Sequence, residues 1–120
     1  FWHAVRHARP LSMGLNCSFG ATELRPYVTT LSRVVDTLLC VYPNAGLPNE
    51  MGEYDELPET TGRLIADWAQ HGLINVVGGC CGTSPAHIAR IAEAVQGLPP
   101  RVVPGLEPRL RLSGLEAFAA

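Results

Sequence analysis

The sequence predicts an α/β fold built on a parallel sheet, and three observations lead there. Short apolar runs recur at residues 11–17, 37–43 and 73–77. Each is followed by a stretch whose apolar residues repeat at helical spacing. The runs themselves show no apolar–polar alternation, as expected of parallel strands covered by helices on both faces. Three strand–helix units leave two architectures open, a small open α/β sheet or the last part of a (β/α)8 barrel.

The elements follow in order. Residues 5–8 read as the end of a helix that Pro10 stops. "LSMGLNC", residues 11–17, reads as a buried strand with Cys17 at its end. Residues 20–35 read as a helix with Thr22 as cap, Glu23 in the first turn, and Leu24, Val28, Leu31 and Val35 on one face. Pro26 fits there only as part of the start of that helix. "TLLCVYP", residues 37–43, is the second strand.

A loop follows, "NAGLPNEMGEYDELPE", with two Gly, two Pro and five of the chain's 11 acids. An acidic run of this kind is a solvated surface or contacts a partner. Its Gly and Pro content favours an ordered flap. Residues 60–70 read as a helix with a stripe of Leu64, Ile65, Trp68 and Ala69, and Gly72 stops it. "LINVV", residues 73–77, is the third strand. Ser84 and Pro85 make a cap and first-turn pair, after which Ile88, Ile91, Ala92 and Val95 face a core. Residues 99–108 hold four prolines and read as a linker.

Composition narrows the function. With 120 residues, 47% hydrophobic and 17% charged, the chain has room for one modest domain. A formal charge of −2 gives no reason to expect a nucleic-acid surface. No apolar run reaches the roughly 18 residues of a membrane span, and none resembles a signal peptide. A cytoplasmic location is the expectation. All nine basic residues are Arg, a compositional bias. "FWHAVRHAR" reads as a helix already under way and "RLRLSGLEAFAA" as a resumed ordered pattern, so both ends look like cuts in a longer protein.

The chemistry centres on "NVVGGCCGTSP", residues 75–85, where Cys80 and Cys81 are adjacent and flanked by glycines. A disulfide between neighbours would be strained. In a parallel sheet the C-terminal strand ends share one rim, so Cys17 meets Cys80 and Cys81 there. In a continuing strand Cys80 and Cys81 would face opposite ways. Gly78 and Gly79 permit the backbone angles that turn both sulfurs to one side, and Gly82 lets the chain leave. Three thiolates suit Zn²⁺, and three protein ligands leave a position open, as catalytic zinc sites do. The helix start at Ser84 favours negative sulfur nearby.

The other candidates have plainer readings. Cys40 lies inside the second strand as a small core residue. His3 and His7 are four apart, a spacing that can hold a metal but that also occurs on any helix. His71 reads as a helix C-terminal residue, His87 as solvent-facing in a first turn, and Trp68 as core. Tyr54 is either an anchor of the acidic loop or a surface aromatic.

"GLNC" at 14–17, "YPNAGLPN" at 42–49 and "GGCCGTSPAHI" at 78–88 together resemble the zinc-dependent homocysteine S-methyltransferase domain. "GEYDELPE" at 52–59 and "RLSGLE" at 111–116 resemble, within that group, the cobalamin-dependent methionine synthases. The resemblance implies a (β/α)8 TIM barrel, of which residues 1–98 would be about the last three β/α units. Residues 99–120 would be a linker leading toward a pterin- or folate-binding domain. It implies Cys17, Cys80 and Cys81 as zinc ligands, Asn44 holding the amino acid end of homocysteine, and Asn16 flanking the metal. Ser84 stands where relatives often carry Thr.

The implied reaction is S-methylation of homocysteine to methionine, a zinc-bound thiolate attacking the methyl group of methylcobalamin. Methylcobalamin and folate would sit on other modules of the same polypeptide. Three cysteine thiolates over-neutralise the dication, so the bound substrate sulfur keeps its electron density. Two other readings stand beside this one. A stand-alone enzyme would take its methyl from betaine or S-methylmethionine, but would not need to continue past a Pro-rich linker. A structural zinc module would need a fourth ligand, and no further His or Cys is well placed to supply it.

Overall fold

The computed structural model describes residues 1–114, 116 and 118–119. The N-terminal residues form a short helix α1 (Trp2–Val5) and a 3₁₀ turn (Arg6–Ala8). Three strands follow, β1 (Ser12–Gly20), β2 (Leu38–Asn44) and β3 (Val76–Val77), alternating with helices α2 (Ala21–Val34), α3 (Pro58–Gln70) and α4 (Pro85–Val95). A two-stranded hairpin of β4 (Arg111–Leu112) and β5 (Phe118–Ala119) comes last. Within "RLSGLE", Leu115 lies outside the described residues, as do Ala117 and Ala120 in the last segment.

The sheet is parallel with order β1-β2-β3. Strands joined in sequence by right-handed crossovers put every helix on the same face. Burial agrees: in β2, Leu39, Val41 and Pro43 are sealed while Cys40 and Tyr42 between them are half-buried. On β1, Met13 joins the core, whereas Ser12 and Asn16 are exposed. The expectation of strands covered on both faces is therefore corrected. Helices cover one face, and the face carrying Gly14, Cys40, Tyr42 and Val76 is open. This one-sided winding is compatible with part of a TIM barrel.

The core joins Met13, Leu39 and Val41 to Leu24 and Val28 of α2, Ile65 and Trp68 of α3, and Ile91 of α4. Trp68 is 1% exposed, as its place in the apolar stripe predicts. Truncating such a side chain to Ala costs about 3–5 kcal/mol. Close strand packing explains Gly14, where a Cβ would lie 1.7 Å from the Cys40 carbonyl oxygen.

Several boundaries differ from the sequence reading, each for a physical reason. Residue 22 does not cap α2; Gly20 does, because a Cβ at Gly20 would stand 2.8 Å from Gly46 Cα and leaves no room for a capping side chain. Pro26 lies in the second turn of α2, where its missing N–H leaves the exposed Thr22 carbonyl to solvent. Helix α3 begins two residues early because Pro58 takes a first-turn position. Its end is as expected, with Gly72 at φ +63 and His71 folding back so that Nδ1 lies 2.8 Å from the Asp67 carbonyl.

The third strand is shorter than residues 73–77. Asn75 uses its side chain where a strand would use its backbone: Oδ1 accepts the Leu39 N–H at 3.0 Å. Leu73 and Ile74 are buried all the same. On α4, Ile88 and Ala92 are exposed, and the buried positions are His87 and Ile91. His87 is thus not solvent-facing. The Pro-rich stretch is pinned at its start by Arg101, which is buried and hydrogen-bonded into the domain.

Candidate metal centre

The strand ends bring three thiols together. Parallel pairing runs from Ser12↔Leu38 to Asn16↔Tyr42, then breaks, and resumes at Gly20↔Asn44. Cys17 sits at the break with φ 60, followed by Ser18 at φ 68. Two successive left-handed non-glycine residues are costly, and such strain concentrates at functional sites. Here it swings Cys17 out of the ladder and over the end of β2.

Cys80 and Cys81 arrive from the loop after β3. The Cys80 N–H donates to the Pro43 carbonyl at 2.9 Å, and the Cys81 carbonyl accepts the Ala45 N–H at 2.8 Å. The Cys81 N–H donates to Asn44 Oδ1 at 3.1 Å. Three bonds thus tie the thiol loop to the end of β2. The glycines serve this close approach in different ways. Gly82 alone among those at 78, 79 and 82 has a positive φ, +78. Gly79 is required by space, since a Cβ there would meet Thr83 Oγ1 at 2.3 Å. At Gly78 a Cβ would touch the Tyr42 ring at 3.0 Å. The sequence reading gave all three a conformational role.

The Sγ atoms of Cys17, Cys80 and Cys81 lie within 4.8 Å of one another. The Cys17 and Cys81 sulfurs are 3.6 Å apart. In a tetrahedral zinc site with Zn–S near 2.3 Å, neighbouring sulfurs lie about 3.8 Å apart, so the cluster could hold a metal and is compatible with zinc. Among the described residues these three are the group so placed, and His3 and His7 are not part of it. All four cysteines are free thiols.

The thiols are electrostatically unequal. The Ser18 backbone N–H, then the thiols of Cys81 and Cys80, hold the Cys17 thiol below its ordinary range, and the Asn44 side chain adds to this. Cys81 is pushed up by its thiol neighbours, Cys17 first. Thiolate is the form that binds metal.

Residues 1–95 match the homocysteine S-methyltransferase family. The chain belongs to this family. The methyltransferase assignment and homocysteine as the family's substrate follow from that membership.

Within this homocysteine S-methyltransferase chain, Cys40 stays apart from the thiol cluster. It faces Gly14 across the strand pair and touches Tyr42, whose hydroxyl pKa is raised by burial and by Cys40. Asn16 is exposed on the open sheet face beside Cys17. Asn44 is 3% exposed and braces Cys81.

Two neighbours of the site were not assigned there from sequence. Tyr54 lies against Gly82, its Cβ 2.3 Å from where a Gly82 Cβ would stand. Its hydroxyl is pushed up by burial and then by Cys81. The acidic loop is therefore an ordered flap packed against the thiol loop at Gly82, and Tyr54 anchors it. His87 locks the flap from below: Nε2 lies 2.7 Å from the Glu56 carbonyl oxygen and Nδ1 2.7 Å from Ser84 Oγ. The signal for His87 was legible in principle, since Ser84 and His87 are the first and fourth residues of a capping box.

Proposed function

We propose that this chain forms the last three β/α units of a TIM barrel that methylates homocysteine at a zinc site made by Cys17, Cys80 and Cys81. The observation that carries the reading is the convergence of these three thiols at the C-terminal strand ends, where such folds build their active sites. Family membership supplies the substrate. The sequential strand order and one-sided helices support the barrel.

Zinc held there would take the homocysteine sulfur as thiolate at neutral pH, the nucleophile that methyl transfer needs. The chain's own residues prepare the place. Ser18 and Asn44 favour the ionised form of Cys17. Asn44 fixes the Cys81 backbone, and Tyr54 covers one side of the thiol loop. Asn44 is assigned to the amino acid end of homocysteine, and Asn16, beside Cys17 on β1, is assigned to flank the metal as a further substrate contact. The resemblance of "GEYDELPE" and "RLSGLE" to the cobalamin-dependent methionine synthases supports methylcobalamin, carried by another module, as the methyl donor. On this reading residues 99–120 lead toward a folate-binding module, and the whole polypeptide works in the cytoplasm.

The test is zinc content of reduced protein with Cys17, Cys80 and Cys81 each changed to Ala, and Cys40→Ala as control. One zinc per chain should be lost with any of the three and kept with Cys40→Ala. X-ray absorption should gain one sulfur neighbour when homocysteine is added. Folded protein that binds no zinc, or zinc that ignores homocysteine, would overturn the proposal.

A further inference from the structure

We propose that the chain carries a second site, for a small phosphate-bearing anion, between the N-terminal helical turns and the β4–β5 hairpin. A cavity of about 690 Å³ opens there. Arg6, Arg9, Arg109 and Arg111 line it, four of the nine basic residues in a chain whose net charge is −2. Among the described residues lining it, Asp36 is the one carboxylate. Asp36 is already engaged by Arg6, through hydrogen bonds of 3.1 and 2.6 Å. Glu107 stands just outside, 3.4 Å from Arg109. The balance of charge in the cavity is positive.

The geometry is partly fixed. Arg111 bends back to donate to the carbonyls of Arg109 and Glu107, at 3.4 and 2.8 Å, which holds two arginines on the same side of the hairpin. Guanidinium groups match phosphate oxygens with paired, charge-assisted bonds. Their volume of cavity exceeds what one inorganic phosphate needs, so a ligand with several phosphate groups fits best.

A second, independent observation points to a ligand. Among the described residues, the indole Nε1 of Trp2 and the Nδ1 of His3 are buried without a hydrogen-bond partner, and both residues line this cavity. Trp2 is 5% exposed. A buried donor left unpaired costs about 1–3 kcal/mol, so the Trp2 indole N–H calls for an acceptor. A phosphate oxygen is one. Nothing in the thiol chemistry uses these groups. Pro10 and Thr37, which precede β1 and β2, also line the cavity, so it lies at the opposite end of the strands from Cys17. Seven strand residues separate the two ends by roughly 23 Å.

The experiment titrates the whole chain with sodium tripolyphosphate, followed by calorimetry and by tryptophan fluorescence. Trp68 is sealed in the core, so a spectral response reports Trp2. Saturable binding is expected, with a fluorescence change that Trp2→Phe abolishes. The double variant Arg9→Asn/Arg109→Gln should weaken binding at least tenfold with an unchanged unfolding midpoint. Asn is chosen because residue 9 has φ 52, which Asn tolerates. Binding should persist in Cys17→Ala, which separates this site from the metal proposal. No saturation at millimolar tripolyphosphate, or affinity indifferent to the double variant, would overturn the site. Citrate binding as tightly as tripolyphosphate would overturn its assignment to phosphate.

Discussion

Asn44 Oδ1 accepts the backbone N–H of Cys81 across 3.1 Å, so the last residue of β2 holds the thiol loop that follows β3. The amide is buried and reaches both sides of the cluster, bonding the Cys81 backbone and favouring the ionised Cys17. Asn44→Ala leaves a backbone donor unmet and loosens one thiol relative to the other two. Stability should fall by about 1–3 kcal/mol. Metal affinity should fall about 10–100-fold, the usual loss when a group that orients a ligand is removed. Denaturant unfolding and competitive metal titration would check both. Unchanged metal affinity in a folded Asn44→Ala protein would show that the thiol loop holds its own shape.

Gly82→Ala should displace the flap. The residue has φ +78, and its new Cβ would stand 2.3 Å from Tyr54 Cβ. Strain of this kind costs on the order of 1–3 kcal/mol. The collision is with a Cβ, so Tyr54→Ala does not relieve it and the double variant should remain unstable. Tyr54 packs at Gly82 and next to Cys81, so the alkylation rate of Cys81 should rise in Gly82→Ala. A variant with wild-type stability and alkylation would mean that the flap is not seated on Gly82.

How far the sequence carried these features depends on their physical kind. Strand–helix alternation is written in hydrophobic spacing, and the convergence of Cys17 with Cys80 and Cys81 needed only parallel strands. The features missed depend on side chains replacing backbone, or on contacts between distant segments. Asn75 shortens β3 because its amide takes a ladder bond, and an Asn within "LINVV" gives no spacing signal. The left-handed Cys17 and Ser18 are held by tertiary contact, since neither residue type favours that conformation. His87 is buried by Glu56, 31 residues away, so its local position in a first turn misleads. Strands covered on one face only were hidden because the open face is itself largely apolar or small.

Acid should weaken the attachment of the N-terminal turns. Arg6 holds the Asp36 carboxyl below the usual aspartate range, chiefly through its hydrogen bonds. The folded pKa is thus lower than the unfolded one. The pair's contribution is present above about pH 4 and is lost as pH falls below it. The side chains are 32% and 28% exposed, so its size is about 0.5–1 kcal/mol. Asp36→Asn should cost that much at pH 7 and nothing near pH 2. A difference between the two proteins that persists undiminished into acid would assign the effect of Asp36 to packing instead of charge.

Arg101 should be the most sensitive position outside the core. It is 3% exposed, and its guanidinium donates to the carbonyls of Ser32, Val35 and Thr37 and to Asn75 Oδ1. Its backbone N–H bonds the Ile74 carbonyl at 3.0 Å, and its carbonyl accepts from Asn75 Nδ2 at 2.8 Å. One side chain therefore closes the end of α2, the approach to β2 and the approach to β3. Burial lowers its pKa, yet a guanidinium stays charged at neutral pH. A buried cation offset only by carbonyl dipoles is tolerated because the planar fork satisfies several acceptors at once. Arg101→Ala strands those acceptors and should cost about 3–5 kcal/mol, on the scale of breaking a buried ionic network. Arg101→Lys keeps the charge but not the fork, so it should recover less than half of the loss. Ending the chain at residue 98 should cost as much as Arg101→Ala, because it removes the same latch. Urea unfolding of the three proteins decides the matter: a truncated chain as stable as the full one would mean that the Pro-rich segment contributes nothing to the domain it leaves.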